Sequence, residues 1–142
     1  MHMLETNQFQ SHKIRIILAD DHRMVREQLA ARLSRETDFE VVGVASNSQD
    51  VWQAAREKNP HILLMDPLMR DGLGMATLRQ VRTAFPNVNI IILTAYVDTA
   101  LKMQFQAMGI HSILTKGIAS SKLLDELRTL YESANYPHSQ EP

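Results

Sequence analysis

Five short apolar runs, each too brief for a helix, constrain this chain more than any other feature. They are Ile14 to Ala19, Val41 to Ala45, Ile62 to Met65, Asn89 to Leu93 and the weaker Ser112 to Thr115. The runs are rich in β-branched residues and continuous rather than alternating, as strands are when both faces of their sheet are covered. Successive runs begin 27, 21, 27 and 23 residues apart, which leaves room for a crossover helix each time.

The segments between them carry helical periodicity. Val25, Leu29 and Leu33 follow the first run. Val51, Ala54 and Ala55 follow the second, with Asn47 and Ser48 as candidate caps. Leu78, Val81 and Phe85 follow the third, stopped by Pro86-Asn87. Leu101, Phe105 and Met108 follow the fourth, between a cap at Asp98 and a stop at Gly109. Leu123, Leu124, Leu127, Leu130 and Tyr131 form a wide stripe after the fifth. Right-handed crossovers turn this pattern into an α/β fold, a doubly wound five-stranded parallel sheet with five helices. One domain is expected over residues 13–134. The polar stretches 1–12 and 135–142 read as an N-terminal tail and a C-terminal tail or linker start.

Composition narrows the function. Lys and Arg number 15 against 16 Asp and Glu, a net charge of -1, so the chain lacks the basic excess of a domain that grips nucleic acid by its phosphates. No cysteine is present, which excludes disulfide scaffolds, thiolate zinc sites and cysteine nucleophiles. No apolar run reaches the roughly 18 residues of a membrane span. The reading is a cytoplasmic protein with no membrane partner.

Ligands of an open parallel sheet bind beyond the carboxyl ends of its strands. The first strand ends in Asp20-Asp21, the third in Asp66, the fourth in Thr94 and the fifth in Lys116. Three carboxylates in one pocket repel one another unless a cation joins them. A hard divalent ion such as Mg²⁺ suits an all-oxygen set. A lysine and a hydroxyl around an aspartate are suited to stabilising a phosphoryl group, with Asp66 as the nucleophile that receives it.

The motifs Ile16-Ile17-Leu18-Ala19-Asp20-Asp21-His22, Leu63-Leu64-Met65-Asp66, Leu93-Thr94-Ala95 and Leu114-Thr115-Lys116 closely resemble the response-regulator receiver domain of two-component signalling. The likeness is greatest to receivers that precede a LuxR-type DNA-binding domain. It spans roughly residues 13–133 and implies a flavodoxin-like (βα)₅ fold. It also implies that Asp66 accepts a phosphoryl group from a sensor histidine kinase. Asp20, Asp21, Asp66 and the backbone carbonyl of Leu68 would hold Mg²⁺. Lys116 would pair with the phosphoryl oxygens, and Thr94 would swing inward to them. The partners implied are the kinase and a second copy of the chain. Pairing would run through the first and fifth helices, or through the fourth helix, fifth strand and fifth helix. DNA would be reached only through a C-terminal domain absent from this chain. Leu68 and Tyr96 stand where the family flanks the hydrolytic water. Neither can act as a base at neutral pH, which implies slow autodephosphorylation.

The sequence departs from the family at three places. Arg70 stands where a proline usually follows Met69, Ile113 replaces an aromatic residue, and Gly117 replaces the proline after the lysine. Gly74 falls at the family glycine position, which leaves Asp71-Gly72 out of register and Asp71 outside the site. His22 is not taken as a ligand, since imidazole suits Mg²⁺ poorly. Arg23, Arg26, Arg32 and Arg35 read as a solvated helix face, and Trp52 as a packing residue.

The expected activity is signalling rather than metabolic catalysis. A haloacid-dehalogenase-type phosphatase would need a general acid at position 68, where Leu68 cannot move protons. A dinucleotide site would need a glycine-rich loop where Asp20-Asp21 stand. The alternative kept is an atypical receiver that binds partners without phosphorylation.

Overall fold

A computed structural model describes residues 13–135; the tail expected at 1–12 lies outside the described residues, as does 136–142 of the tail expected at 135–142, whose first residue, Asn135, instead ends the last helix. The chain alternates strand and helix throughout. β1 (Ile14–Ala19) leads to α1 (Arg23–Ser34), β2 (Phe39–Ala45) to α2 (Ser48–Lys58), and β3 (Ile62–Met65) to α3 (Gly74–Ala84). β4 (Asn89–Thr94) leads to α4 (Thr99–Ala107), and β5 (Ser112–Thr115) to α5 (Ser120–Asn135). The five strands form one parallel sheet in the order β2-β1-β3-β4-β5. The expected α/β architecture is the observed one.

Side-chain alternation along each strand divides the core into two layers. Ile17, Ala19, Leu63 and Met65 face Val51 and Ala55 of α2, Leu78 and Val81 of α3, and Phe105 of α4. Ile16, Leu18, Ile62 and Leu64 face Leu33 of α1 and Leu123, Leu124 and Leu127 of α5. The strength of each apolar run follows its place in the sheet. Central β3 is buried throughout, whereas edge strand β5 is half-buried, which is why its run is the weakest. β2 begins at Phe39, two residues before the run suggests, because Phe39 pairs with Ile14 and is buried, while the exposed Glu40 separates it from the run at Val41.

Asn47 and Asp98 cap α2 and α4, accepting bonds from the backbone N–H groups of Asp50 and Leu101. Trp52 packs against Phe85, ring centroids 5.5 Å apart. Arg128 ties α5 to the α1–β2 loop. Its guanidinium donates to Asp38 at 2.7 and 3.0 Å and to Glu36 at 2.9 Å, and lies 4.9 Å above the Phe39 ring.

At the opposite end of the sheet from the carboxylates, His61 is held neutral. The backbone N–H of Arg15 donates to its Nδ1 at 2.9 Å, and its ring meets the edge of Tyr131. Burial, followed by the charge of Arg15, holds its pKa below the ordinary histidine value. The unfolded chain therefore takes up this proton more readily than the folded one. The contribution is complete above the unfolded value of about 6.5 and is lost as pH falls through the lower folded value. The urea midpoint is expected to drop from pH 8 to pH 5, and to drop less in His61→Gln. Equal slopes in the two proteins would exclude His61 as a source of acid sensitivity.

Candidate functional site

Strand register brings the chemistry to one edge. Ala19 lies beside Met65, Met65 beside Ile92, and Thr94 beside Thr115. The ladder continues one residue further. Asp66 N–H donates to the Ala19 carbonyl at 2.9 Å, and Lys116 N–H to the Thr94 carbonyl at 2.9 Å. The side chains of Asp20, Asp66 and Lys116 consequently emerge together. Lys116 Nζ lies 2.7 Å from Asp20 Oδ2 and 2.8 Å from Asp66 Oδ2. Both carboxylates are only 5% exposed, so the ammonium is their main counter-charge in a site largely closed to water. Burial is the largest influence on Lys116 and opposes its charge. The bonds and fields of Asp20 and Asp66 together outweigh it and raise its pKa above the ordinary lysine value.

Thr94 is buried, and its hydroxyl has no hydrogen-bond partner. An orphaned buried hydroxyl costs about 1–3 kcal/mol and is therefore unusual. Leu68 turns its N–H onto Asp66 Oδ1 at 2.9 Å, while its side chain is exposed. Tyr96 is 61% exposed, and its hydroxyl donates to Asp98.

Asp21 joins the group through residues that sequence reasoning set aside. His22 occupies the position before α1 yet makes no side-chain cap. Its Nδ1 sits 2.9 Å from Asp20 Oδ1 and 3.3 Å from Asp21 Oδ1 instead. The ligand atoms of Asp20, Asp21 and His22 lie within 4.8 Å of one another. That spacing and the hard carboxylate oxygens fit a divalent cation. The backbone N–H of Arg70 donates to Asp21 Oδ2 at 2.7 Å, and its guanidinium Nε is 3.3 Å from the same oxygen. Arg26 is not merely a solvated residue, since it donates to the Asp20 carbonyl at 2.8 Å.

Asp71 stays outside the site, as its register implies. It accepts from the Ser48 N–H, the Ser48 hydroxyl and the Leu73 N–H, fastening the β3–α3 loop to the start of α2. The Leu73 N–H, then the Ser48 N–H, hold its carboxyl below the usual carboxylate range.

Residues 16–128 match the family model of the response regulator receiver domain. This chain belongs to that family. A curated relative, the response regulator protein VraR of Staphylococcus saprophyticus, is 31% identical over 120 residues, covering 84% of this chain and 57% of the relative. The receiver thus spans little more than half the length of the curated relatives it matches. A LuxR-family two-component response regulator from Aurantimonas sp. superposes with TM-score 0.78 at 25% identity, over 85% of this chain and 86% of that one. The isolated receiver of RcsB from Salmonella enterica serovar Typhimurium, solved with the phosphomimetic BeF₃⁻, gives 0.76 at 25% identity, over 84% and 89%. The likeness to receivers of LuxR-family regulators agrees with the motifs. Receivers of this family are signalling modules. Among the described residues no helix of this receiver is long and apolar enough to cross a membrane.

Proposed function

We propose that this receiver takes a phosphoryl group from a sensor histidine kinase onto Asp66 and so switches the output of a regulator, transcription through a LuxR-type DNA-binding domain. The observation that carries the reading is the ammonium of Lys116 shared by Asp66 and Asp20 in a buried pocket. A carboxylate oxygen of Asp66 attacks phosphorus. The new O–P bond forms as the P–N bond to the kinase histidine, or the P–O bond of acetyl phosphate, breaks, and the leaving group keeps that electron pair. Lys116 turns from the carboxylates to the phosphoryl oxygens, and the orphaned Thr94 hydroxyl gains the acceptor it lacks. Asp20, Asp21, Asp66 and the Leu68 carbonyl would hold Mg²⁺, whose charge offsets that of the phosphoryl oxygens. Movement of Thr94 is transmitted to the Tyr96 loop and α4, altering self-association through α1 and α5 or through α4, β5 and α5. The chain catalyses only its own phosphorylation and dephosphorylation, in the cytoplasm.

Intact mass after incubation with acetyl phosphate and Mg²⁺ tests this. One adduct that hydroxylamine removes is expected. A chain that stays unlabelled favours a receiver that binds partners without phosphorylation.

The adduct is expected to be long-lived. The Leu68 side chain offers no polar atom to orient water, whereas a side chain positioned to assist by proton transfer contributes about a hundredfold or more in rate. Leu68→Asn is expected to shorten the phosphoryl half-life, by less than that factor, since an amide orients water without taking its proton. Tyr96→Ala should shorten it less, by opening access. Decay rates equal to the parent's in both would show that these positions do not set the lifetime.

A further inference from the structure

We infer that Arg70 is a resident counter-cation of the metal pocket, which a divalent ion must displace from Asp21, and that it sets the Mg²⁺ concentration at which the site fills. The inference rests on the Mg²⁺ reading given above.

Arg70 holds Asp21 in two separable ways. Its backbone N–H bonds Oδ2 at 2.7 Å, which fixes the carboxylate whatever side chain the residue carries. Its guanidinium adds charge, with Nε 3.3 Å from the same oxygen and Nη2 donating to the Asp21 carbonyl at 3.3 Å. The other carboxylate oxygen, Oδ1, is 3.3 Å from His22 Nδ1. Both oxygens that would face a metal ion are thus already engaged.

The cations around the pocket are not equivalent. Lys116 is 16% exposed and locked between Asp20 and Asp66. Arg26 reaches a backbone carbonyl of Asp20, not a carboxylate. The Arg70 side chain is 80% exposed on a flexible stem, while the Asp21 carboxylate it meets is 11% exposed. It can leave for water at small cost, because exposed ion pairs contribute little to stability. A divalent ion arriving at Asp21 therefore exchanges with this guanidinium, and the strength of that weak pair is the discount on its affinity. On the scale of exposed ion pairs the discount is about twofold to fivefold.

Calorimetric titration of the full chain with Mg²⁺ at low ionic strength tests the exchange. Arg70→Gln is expected to bind Mg²⁺ about twofold to fivefold more tightly than the parent. Arg70→Lys, which keeps the charge, should stay near the parent. Added monovalent salt should narrow the gap between Arg70→Gln and the parent, since it screens the exposed pair. Unchanged or weaker binding by Arg70→Gln, with the parent binding normally, would overturn the inference and leave the phosphoacceptor reading intact. Absence of Mg²⁺ binding in the parent and both variants would instead overturn the reading on which it rests.

Discussion

Asp66→Asn is expected to take up no phosphoryl group from acetyl phosphate, and Lys116→Met to take it up roughly a hundredfold more slowly. The first follows from chemistry, since an amide oxygen does not replace a carboxylate nucleophile. The second follows from the geometry of Lys116. Its ammonium lies 2.8 Å from the Asp66 carboxylate, where the proposed reaction would deliver phosphoryl charge, and it is fixed there in advance. Preorganised donors in a site closed to water are worth more than the same donors in solution. Methionine keeps the apolar stem that lines the gap between α1 and α5 with Leu29 and Leu123. Loss of rate would therefore report the charge rather than a collapsed wall. Stability gives an independent reading. Without Lys116 the carboxylates of Asp20 and Asp66, each 5% exposed, lose the ammonium they share. Breaking a buried pair from one side costs about 3–5 kcal/mol, reduced as the carboxylates take up protons. Denaturation in EDTA should show that loss, and Mg²⁺ should recover part of it. Labelling of Asp66→Asn would move the phosphoacceptor elsewhere. An unchanged rate in Lys116→Met would remove the lysine from the chemistry.

The parts of this site that were legible in the sequence are those placed by regular structure. Asp20, Asp66, Thr94 and Lys116 each end or directly follow an apolar run, and parallel register alone brings such positions to one edge. The rest depends on loops. Arg70 meets Asp21 across 49 positions, through the path taken by residues 67–73, and no periodicity encodes that path. The same loop directs Asp71 to Ser48. The poor fit of imidazole to Mg²⁺ leaves His22 out of a ligand set read from sequence, but that argument concerns ligands alone. The ring is placed instead by its bond with Asp20, with Asp21 Oδ1 3.3 Å away, at the expense of capping α1. Helical position alone makes Arg26 a solvated residue, yet one turn along α1 it reaches back to the Asp20 carbonyl. Departure from a family pattern was the only sign that Arg70 mattered, and it gave the position without the role.

Gly74→Ala is expected to be the most damaging of the five possible Gly→Ala changes. Gly74 opens α3, and a Cβ placed on it would lie 1.8 Å from the Pro67 carbonyl oxygen and 2.7 Å from the Pro67 carbonyl carbon. The obstacle is backbone, so no rotamer relieves it. Either α3 withdraws from the sheet or residues 67–73 shift. Both moves reach the site, because Pro67 follows Asp66 and the next N–H, that of Leu68, bonds Asp66 Oδ1. Overpacking in a closed environment costs about 1–3 kcal/mol, and a clash against backbone belongs at or above the top of that range. Two other glycines serve as controls. Gly72 adopts φ +74 with open space around it, so Gly72→Ala should cost about 1–2 kcal/mol from the left-handed backbone alone. Gly117 has neither a close neighbour nor a positive φ, so Gly117→Ala should be near neutral. The expected order of loss in urea midpoint is therefore Gly74, Gly72, then Gly117. The Gly74→Ala protein, where folded, should also bind Mg²⁺ more weakly, because the loop carrying the Leu68 carbonyl has moved. A Gly74→Ala protein as stable as Gly117→Ala would mean that α3 can leave Pro67 freely, and that the loop is not held to Asp66 by this contact.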